Sequence, residues 1–181
     1  MGVAVVAKIG IREQHGKVRT AEGIVEVRRS PDGWYTVPGS GTEGAGRVKY
    51  DDERDVLDIE RPGVSLSIRF RGETERTTFE FGGHAYEVAT MDFGTILIQA
   101  GSHPVVQGHI TVSGVRLLSV APELRSIERE LAFGLAVRSD EISKGFWRED
   151  EPFFEGIKEG IEGDLLEGDL RRRREREKPG D

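Results

Sequence analysis

The sequence predicts a mainly β protein in which a closed antiparallel barrel of roughly ten to twelve short strands surrounds one hydrophobic C-terminal helix. Two observations support this prediction. Short runs of alternating apolar and polar residues recur between glycine-containing turns, which is typical of a barrel or a sandwich. One later segment, residues 122–144, has helical spacing instead and is apolar through its middle. A β-sandwich with this helix packed on one face is the alternative fold.

The segment 122–144 has the features of a buried helix. Pro122 suits the first helical position, where its missing N–H costs nothing. The run from Leu131 to Val137 contains no polar residue through about two turns, and a helix that is apolar on all sides is buried on all sides. Gly134 within this run indicates that another backbone passes close to the helix. The residues expected to be buried are Leu124, Ile127, Leu131, Phe133, Gly134, Leu135 and Val137.

The strands are predicted from alternation and turn residues. The most regular is Val64 to Arg71, where apolar residues at every second position alternate with serine and arginine. Residues 10–22 are polar and contain Gly16, so they are interpreted as a loop. Other strands are predicted at 3–9, 24–28, 34–37, 47–50, 56–60, 77–81, 84–89, 95–98, 105–110 and 111–120.

The domain boundary is predicted from a change in composition. Lys144 and Gly145 are typical of the last turn and the end of a helix. Residues 149–169 contain nine acids and one lysine, whereas 171–181 contain six cations and three acids. We therefore expect a barrel domain at 1–148 and a charged, glycine-rich tail at 149–181.

Length, charge and cysteine content restrict the function. The chain has 181 residues, a formal net charge of −7 and no cysteine. The lack of cysteine excludes disulfides, thiolate metal sites and a cysteine nucleophile. The negative charge argues against a general nucleic-acid binder, although it is compatible with a local basic patch. The N-terminal residues lack the basic start of a signal peptide, and no apolar run is long enough for a transmembrane segment, so we expect a cytoplasmic protein.

No motif predicts a catalytic, cofactor or metal site. Residues 39–44 match the dinucleotide pattern of glycines, but a strand rather than a helix is predicted after them. The acidic residues at 51–55 resemble the start of a calcium loop that lacks its glycine and its final glutamate. His84 and His109 could approach each other across a sheet, but solvated histidines are the default interpretation. We expect no enzyme activity and no cofactor.

One cluster of cations is a candidate ligand site. Arg69, Arg71 and Arg76 surround the end of the most regular strand. Guanidinium groups in such a cluster are well suited to hold phosphate or another anion. The alternative is an ordinary charged and solvated strand face.

A family resemblance follows from the order of elements. The run FEFGGHAYEVATMDFGTILIQAGSHPVVQGHITVSGVRLLSVAPELRSIERELAFGLAVRSDEI, residues 79–142, resembles the C-terminal half of tubby C-terminal-like domains, which include the phospholipid scramblase and LURP-one-related proteins. The resemblance covers residues 20–145 and is clearest at 130–142. It implies a closed barrel around a hydrophobic helix, and a non-enzymatic domain that meets lipid or another protein. The cysteine cluster of animal scramblases is absent, and the phosphoinositide-binding cations of tubby proteins have no assignable counterparts.

Three functions remain open from the sequence. The first is a non-catalytic module, related to the tubby-like and scramblase families, that binds a lipid, an anionic membrane surface or another amphiphile. The second is a protein-interaction module that acts through the charged tail at 149–181. The third is an enzyme of unknown type.

The charged tail gives a first testable prediction. Truncation after Leu170 should leave the melting temperature unchanged, because a run of like charges buries little apolar surface. Truncation after Asp150 should lower the melting temperature modestly, because it also removes Phe153 and Phe154. Thermal unfolding of the two truncated proteins tests this, and a cooperative loss of structure on removing only 171–181 would contradict it.

Overall fold

The computed structural model describes residues 5–9, 15–39, 44–71, 75–92, 94–111 and 114–149. Within these residues the chain forms twelve strands, a short 3₁₀ helix and one α-helix. The strands are β1 (Val5–Ile9), β2 (His15–Thr20), β3 (Gly23–Arg29), β4 (Tyr35–Val37), β5 (Gly46–Asp51), β6 (Val56–Arg61), β7 (Val64–Arg69), β8 (Thr77–Phe81), β9 (His84–Asp92), β10 (Thr95–Ala100), β11 (His103–Thr111) and β12 (Gly114–Val120). The 3₁₀ helix is Pro122–Ile127 and the α-helix, α1, is Glu128–Glu149.

The strands form one antiparallel sheet that is nearly closed on itself. Its order is β7-β6-β5-β4-β3-β2-β1-β12-β11-β10-β9-β8. Strands that are consecutive in sequence therefore pair with each other, except β7 and β8, and β1 also pairs with β12. The two ends of this order, β7 and β8, form the seam of the barrel. The predicted antiparallel barrel with one C-terminal helix is confirmed.

Alternate residues of the strands line the barrel interior. On β7, Leu66 and Ile68 are buried, whereas Ser65, Ser67 and Arg69 are exposed. This alternation matches the sequence pattern, because successive side chains of a strand point to opposite faces. Burial of each such leucine or isoleucine contributes about 1.5–3 kcal/mol to folding.

Strand β2 lies within the segment 10–22 that the sequence predicts as a loop, and the prediction is wrong for residues 15–20. The inward positions of this strand are Gly16 and Val18, both buried. A side chain at position 16 would overlap the ring of Phe133 on α1, so the position requires glycine. Gly16 is therefore a point of close contact between the sheet and the helix, and it does not mark a loop.

The helix occupies the interior of the barrel. Every residue from Leu131 to Val137 is buried, and Leu124 and Ile127 of the 3₁₀ helix are also buried. A Cβ on Gly134 would lie 2.6 Å from Cδ1 of Leu57, so the close neighbour is a side chain rather than the expected backbone. The sandwich alternative, with the helix on one outer face, does not describe this arrangement.

The helical segment differs from the prediction at both ends. Residues 122–127 form a 3₁₀ helix, with the Leu124 N–H donating to the Ala121 carbonyl at 3.0 Å. This tighter winding is common at the start of α-helices, and here it follows directly after β12. Helix α1 continues through Gly145 to Glu149, because one internal glycine costs only about 1 kcal/mol and does not by itself end a helix.

The chain divides into two compact units, Met1–Ile142 and Ser143–Asp181. The first contains the twelve strands and the part of α1 that fills the barrel. In the second, the described residues are 143–149, which continue α1. The predicted tail at 149–181 lies outside the described residues after Glu149. No helix in the described part of the chain is long and apolar enough to cross a membrane.

Charge substitutions on α1 test whether the helix is central to the fold. Leu131→Asp or Leu135→Asp should prevent folding, because an unpaired charge in the barrel interior costs about 4 kcal/mol or more. Ile142→Asp is the matched control, since Ile142 is on the same helix and its side chain is 47% exposed. Circular dichroism and thermal unfolding distinguish the outcomes, and near-normal melting of the Leu135 variant would contradict an interior helix.

Candidate functional site

The arginines predicted from sequence lie together at the seam of the barrel. Arg69 is the exposed last residue of β7, and Arg71 and Arg76 belong to the connection from β7 to β8. Arg71 pairs with Glu75 at 2.7 Å and Arg76 pairs with Glu87 at 3.4 Å. Two of the three predicted anion-binding groups therefore already contact a carboxylate of the protein.

The histidines and the acidic turn do not form a metal site. His84 begins β9 and His109 lies near the far end of β11, with β10 between them. They are thus near opposite ends of the barrel, and the idea that they approach each other is wrong. Asp51 binds Arg54, with Oδ2 2.6 Å from Nε. Among the described residues, no group of three or more histidine, aspartate or glutamate side chains could hold a metal ion.

One end of the interior helix is held by a cluster around Arg138. Its Nε and Nη2 donate to the two carboxylate oxygens of Asp55, both at 2.7 Å. The guanidinium carbon lies 3.9 Å from the ring centroid of Phe70, and Nη1 is 3.6 Å from the sulfur of Met91. The Tyr50 hydroxyl also donates to Asp55, at 2.7 Å. This cluster ties α1 to the β5–β6 turn and to two more strands of the barrel.

Asp55 and Tyr50 have shifted pKa values for definable reasons. Burial raises the pKa of Asp55, but hydrogen bonds from Arg138 and Tyr50 outweigh it and hold the pKa below its usual range. Burial and the hydrogen bond to Asp55 raise the pKa of Tyr50 well above its usual range. Asp55 also has a φ of 49°, in the left-handed region that aspartate and asparagine tolerate better than most residues. The Asp55 carboxylate therefore stays ionised in its contact with Arg138 and Tyr50, and this contact stabilises the fold.

The other end of the interior helix has its own polar contacts. Arg129 donates to Glu22 at 2.5 Å and to the carbonyl of Pro38 at 3.3 Å. Glu130 is 1% exposed, and its Oε1 lies 3.5 Å from Nε of Arg61. A side chain at position 46 would overlap the Glu130 carboxylate, which explains the glycine there. These contacts connect the start of α1 to the β2–β3 turn, to the residue after β4 and to the end of β6.

A cluster of exposed cations lies on the outside of β12, β1, β2 and β3. We define the basic face by five exposed side chains, Lys8, Lys17, Arg19, Arg28 and Arg116. Glu26 is the one acidic residue in these four strands. On a chain with a net charge of −7, this face is a local reversal of sign.

The strand register brings these cations close to one another. Lys8 on β1 is directly opposite Lys17 on β2, and Val6 separates Arg19 from Arg116 across β1. Like charges placed directly opposite each other destabilise a sheet. Conflicts of this kind with local stability are expected at functional sites.

Little of this positive charge is compensated by the acidic side chains that the structure describes. Among the described residues, the acidic partner of this face is Glu26, whose Oε1 lies 3.7 Å from Nζ of Lys17 while both side chains are about 60% exposed. Such an exposed contact contributes little. Within the described residues the other four cations of the basic face form no ion pair.

Sequence reasoning missed the basic face because it missed β2. Once residues 15–20 are a strand, His15, Lys17 and Arg19 all point outward, opposite the buried Gly16 and Val18. The sequence signal for this strand is the basic or histidine side chain at every second position, 15, 17 and 19. The signal is weak because one of the two inward positions between them is Gly16 instead of a large apolar residue.

Comparison with known proteins gives no relative for this chain. No family model, no curated protein and no solved structure matches it. The assignment of a site therefore depends on the geometry of the described residues alone.

Acid unfolding tests the contact between α1 and the β5–β6 turn. Asp55→Asn keeps a residue that tolerates the same backbone conformation, and should lower the free energy of unfolding by about 1–2 kcal/mol at neutral pH. A larger loss is not expected, because the Asp55 side chain is 34% exposed. Since folding lowers the pKa of Asp55, its contribution is complete above the ordinary carboxyl range and is lost as pH falls through the folded-state value.

The difference between Asp55→Asn and the unaltered protein should therefore shrink below about pH 4. Denaturant unfolding at a series of pH values measures it. Glu53→Gln, in the same turn, is the control and should change stability by less than about 0.5 kcal/mol. A constant difference between Asp55→Asn and the unaltered protein across this pH range would contradict the assigned role.

Proposed function

We propose that this protein is a non-catalytic module, similar in type to tubby-like and scramblase-related domains, that binds an anionic amphiphile or membrane surface. The observation that supports this proposal is the position of the cations. A barrel face that carries five exposed cations and one acid is suited to a negatively charged partner, whatever the net charge of the whole chain.

The filled interior favours an external binding surface. Barrels that carry a small ligand hold it in a cavity enclosed by their strands. In this barrel α1 takes that place, and Phe133 and Leu135 on the helix are fully or almost fully buried among the strands. A ligand therefore meets the outer strand faces or the connecting turns, which is where the basic face is found.

Apolar side chains next to the basic face favour an amphiphile over a purely polar anion. Ile24 on β3 is 55% exposed and Leu118 on β12 is 40% exposed. Ile24 is directly opposite Arg19, and Leu118 is two residues from Arg116 on the same face. A surface with both cations and aliphatic groups matches the boundary between lipid headgroups and acyl chains.

Vesicle flotation tests the proposal. The full chain should float with phosphatidylcholine vesicles that contain phosphatidylserine, and should remain at the bottom of the gradient with phosphatidylcholine alone. Binding should weaken when salt is raised from low to physiological concentration, because exposed charges are screened over about 8–10 Å. Failure to bind the anionic vesicles even at low salt would contradict the proposed function.

A further inference from the structure

We propose that the basic face docks flat on an anionic bilayer through β12, β1 and β2, and that it senses the density of negative charge instead of one headgroup. This inference rests on the proposed function and specifies which surface is used and how it selects its ligand. The docking surface consists of Lys8, Lys17, Arg19 and Arg116, with Val6 at its centre.

The curvature of the barrel limits contact with a plane to about three strands. With twelve strands around the circumference, the surface turns by roughly 30° from one strand to the next. A plane that touches β1 is therefore still within reach of long side chains from β12 and β2. Arg116 and Arg19 occupy these flanking positions, at the same level on either side of Val6.

The central strand of this surface presents no group that would hold the protein away from a bilayer. Its outward residues are the half-buried Val6 and the exposed Lys8. Glu26, the acidic residue of the basic face, lies on β3, one strand beyond the proposed contact. Among the described residues, the contact area thus consists of cations around the short aliphatic side chain of Val6, and Glu26 borders it at Lys17.

The form of the surface predicts low headgroup selectivity. Recognition of one phosphorylated headgroup needs convergent donors, such as a pair of guanidinium groups that grip one phosphate. Here Arg19 and Arg116 are separated by an intervening strand, and they extend from a convex sheet. Each cation then contributes through its distance from a charged surface, by a factor of about five in the binding constant.

A bilayer fits this surface better than a nucleic acid does. Single-stranded nucleic acids are usually bound by aromatic side chains that stack on the bases, and β12, β1, β2 and β3 contain no phenylalanine, tyrosine or tryptophan. The exposed Ile24 and Leu118 beside the surface would gain no apolar contact from a sugar–phosphate backbone. Against lipid they add apolar contact with the headgroup region.

The decisive experiment compares two double charge reversals that change the net charge equally. Arg19→Glu/Arg116→Glu alters the proposed docking surface, and Arg69→Glu/Arg76→Glu alters the arginine cluster at the seam. Thermal unfolding first establishes that both variants are folded. We then measure the partition of each full-length variant onto phosphatidylcholine vesicles that contain phosphatidylserine, at low salt.

The first variant should bind at least about a hundredfold more weakly than the unaltered protein, and the second should lose no more than about fivefold. Equal losses in both variants, or a loss only in the seam variant, would overturn the assignment of the surface while leaving the proposed function intact. No binding by the unaltered protein would instead remove the proposed function itself.

Vesicle composition tests the mode of recognition. Phosphatidylserine and phosphatidylglycerol at matched surface charge should give binding constants within about threefold of each other. A preference above about tenfold for one headgroup would overturn charge-density recognition. Duplex and single-stranded DNA at the same salt should not bind at protein concentrations that saturate the vesicles, and tighter binding to either would overturn the choice of a bilayer.

Discussion

The structure depends on the burial of one apolar helix inside a sheet that surrounds it. Leu131 and Leu135 lie on one side of this helix and Phe133 on the opposite side, and all three are buried. Such a helix has no polar face to turn to water, so it is stable only if apolar strands cover it in every direction. The barrel has the complementary requirement, since twelve strands enclose more space than their own side chains fill. Neither element has a completed core without the other, and the two are expected to fold as one cooperative unit.

The packing inside the barrel is tight, and three glycines lie at positions where a larger side chain would overlap a neighbour. Gly16 makes room for the Phe133 ring, Gly46 for the Glu130 carboxylate and Gly134 for the Leu57 side chain. The polar contacts then fix how deeply the helix is inserted. Arg129 and Glu130 are bound at the entry end, and Arg138 is bound about two turns later at the exit end. Apolar packing alone is non-directional. The ion pairs of Arg129 and Arg138 with carboxylates instead fix one position of the helix along the barrel axis.

Much of the fold was accessible from the sequence because its two periodicities are clear. The alternation on β7 and the unbroken apolar run of α1 each have one simple structural meaning. The errors arose where a tertiary contact determined the residue. Gly16 indicates a loop when only its neighbours in sequence are considered, because the Phe133 ring that requires a glycine there lies more than a hundred residues away in the chain. Residues 122–127 form a 3₁₀ helix directly after β12, and the spacing of three between Leu124 and Ile127 fits a 3₁₀ helix and an α-helix equally well.

The candidate site was less accessible because it is a property of strand pairing. Arg116 and Arg19 are almost a hundred residues apart, and only the closure of β1 onto β12 places them on either side of Val6. The arginines at 69, 71 and 76 form a cluster in the sequence, yet the fold gives two of them acidic partners. The cations of the basic face are dispersed in the sequence, and among the described residues Lys17 is the one of them with an acidic partner.

The interior helix and the basic face are connected through β2. The contact between Phe133 and Gly16 fixes which side of this strand faces the core, and a strand has only two sides. A shift of β2 by one residue would bury Lys17 and Arg19 and expose Val18, at a cost that no surface interaction offsets. The packing of the helix thereby determines that three consecutive outward positions of β2 carry His15, Lys17 and Arg19. The surface proposed to meet the membrane is in this sense set by the core beneath it.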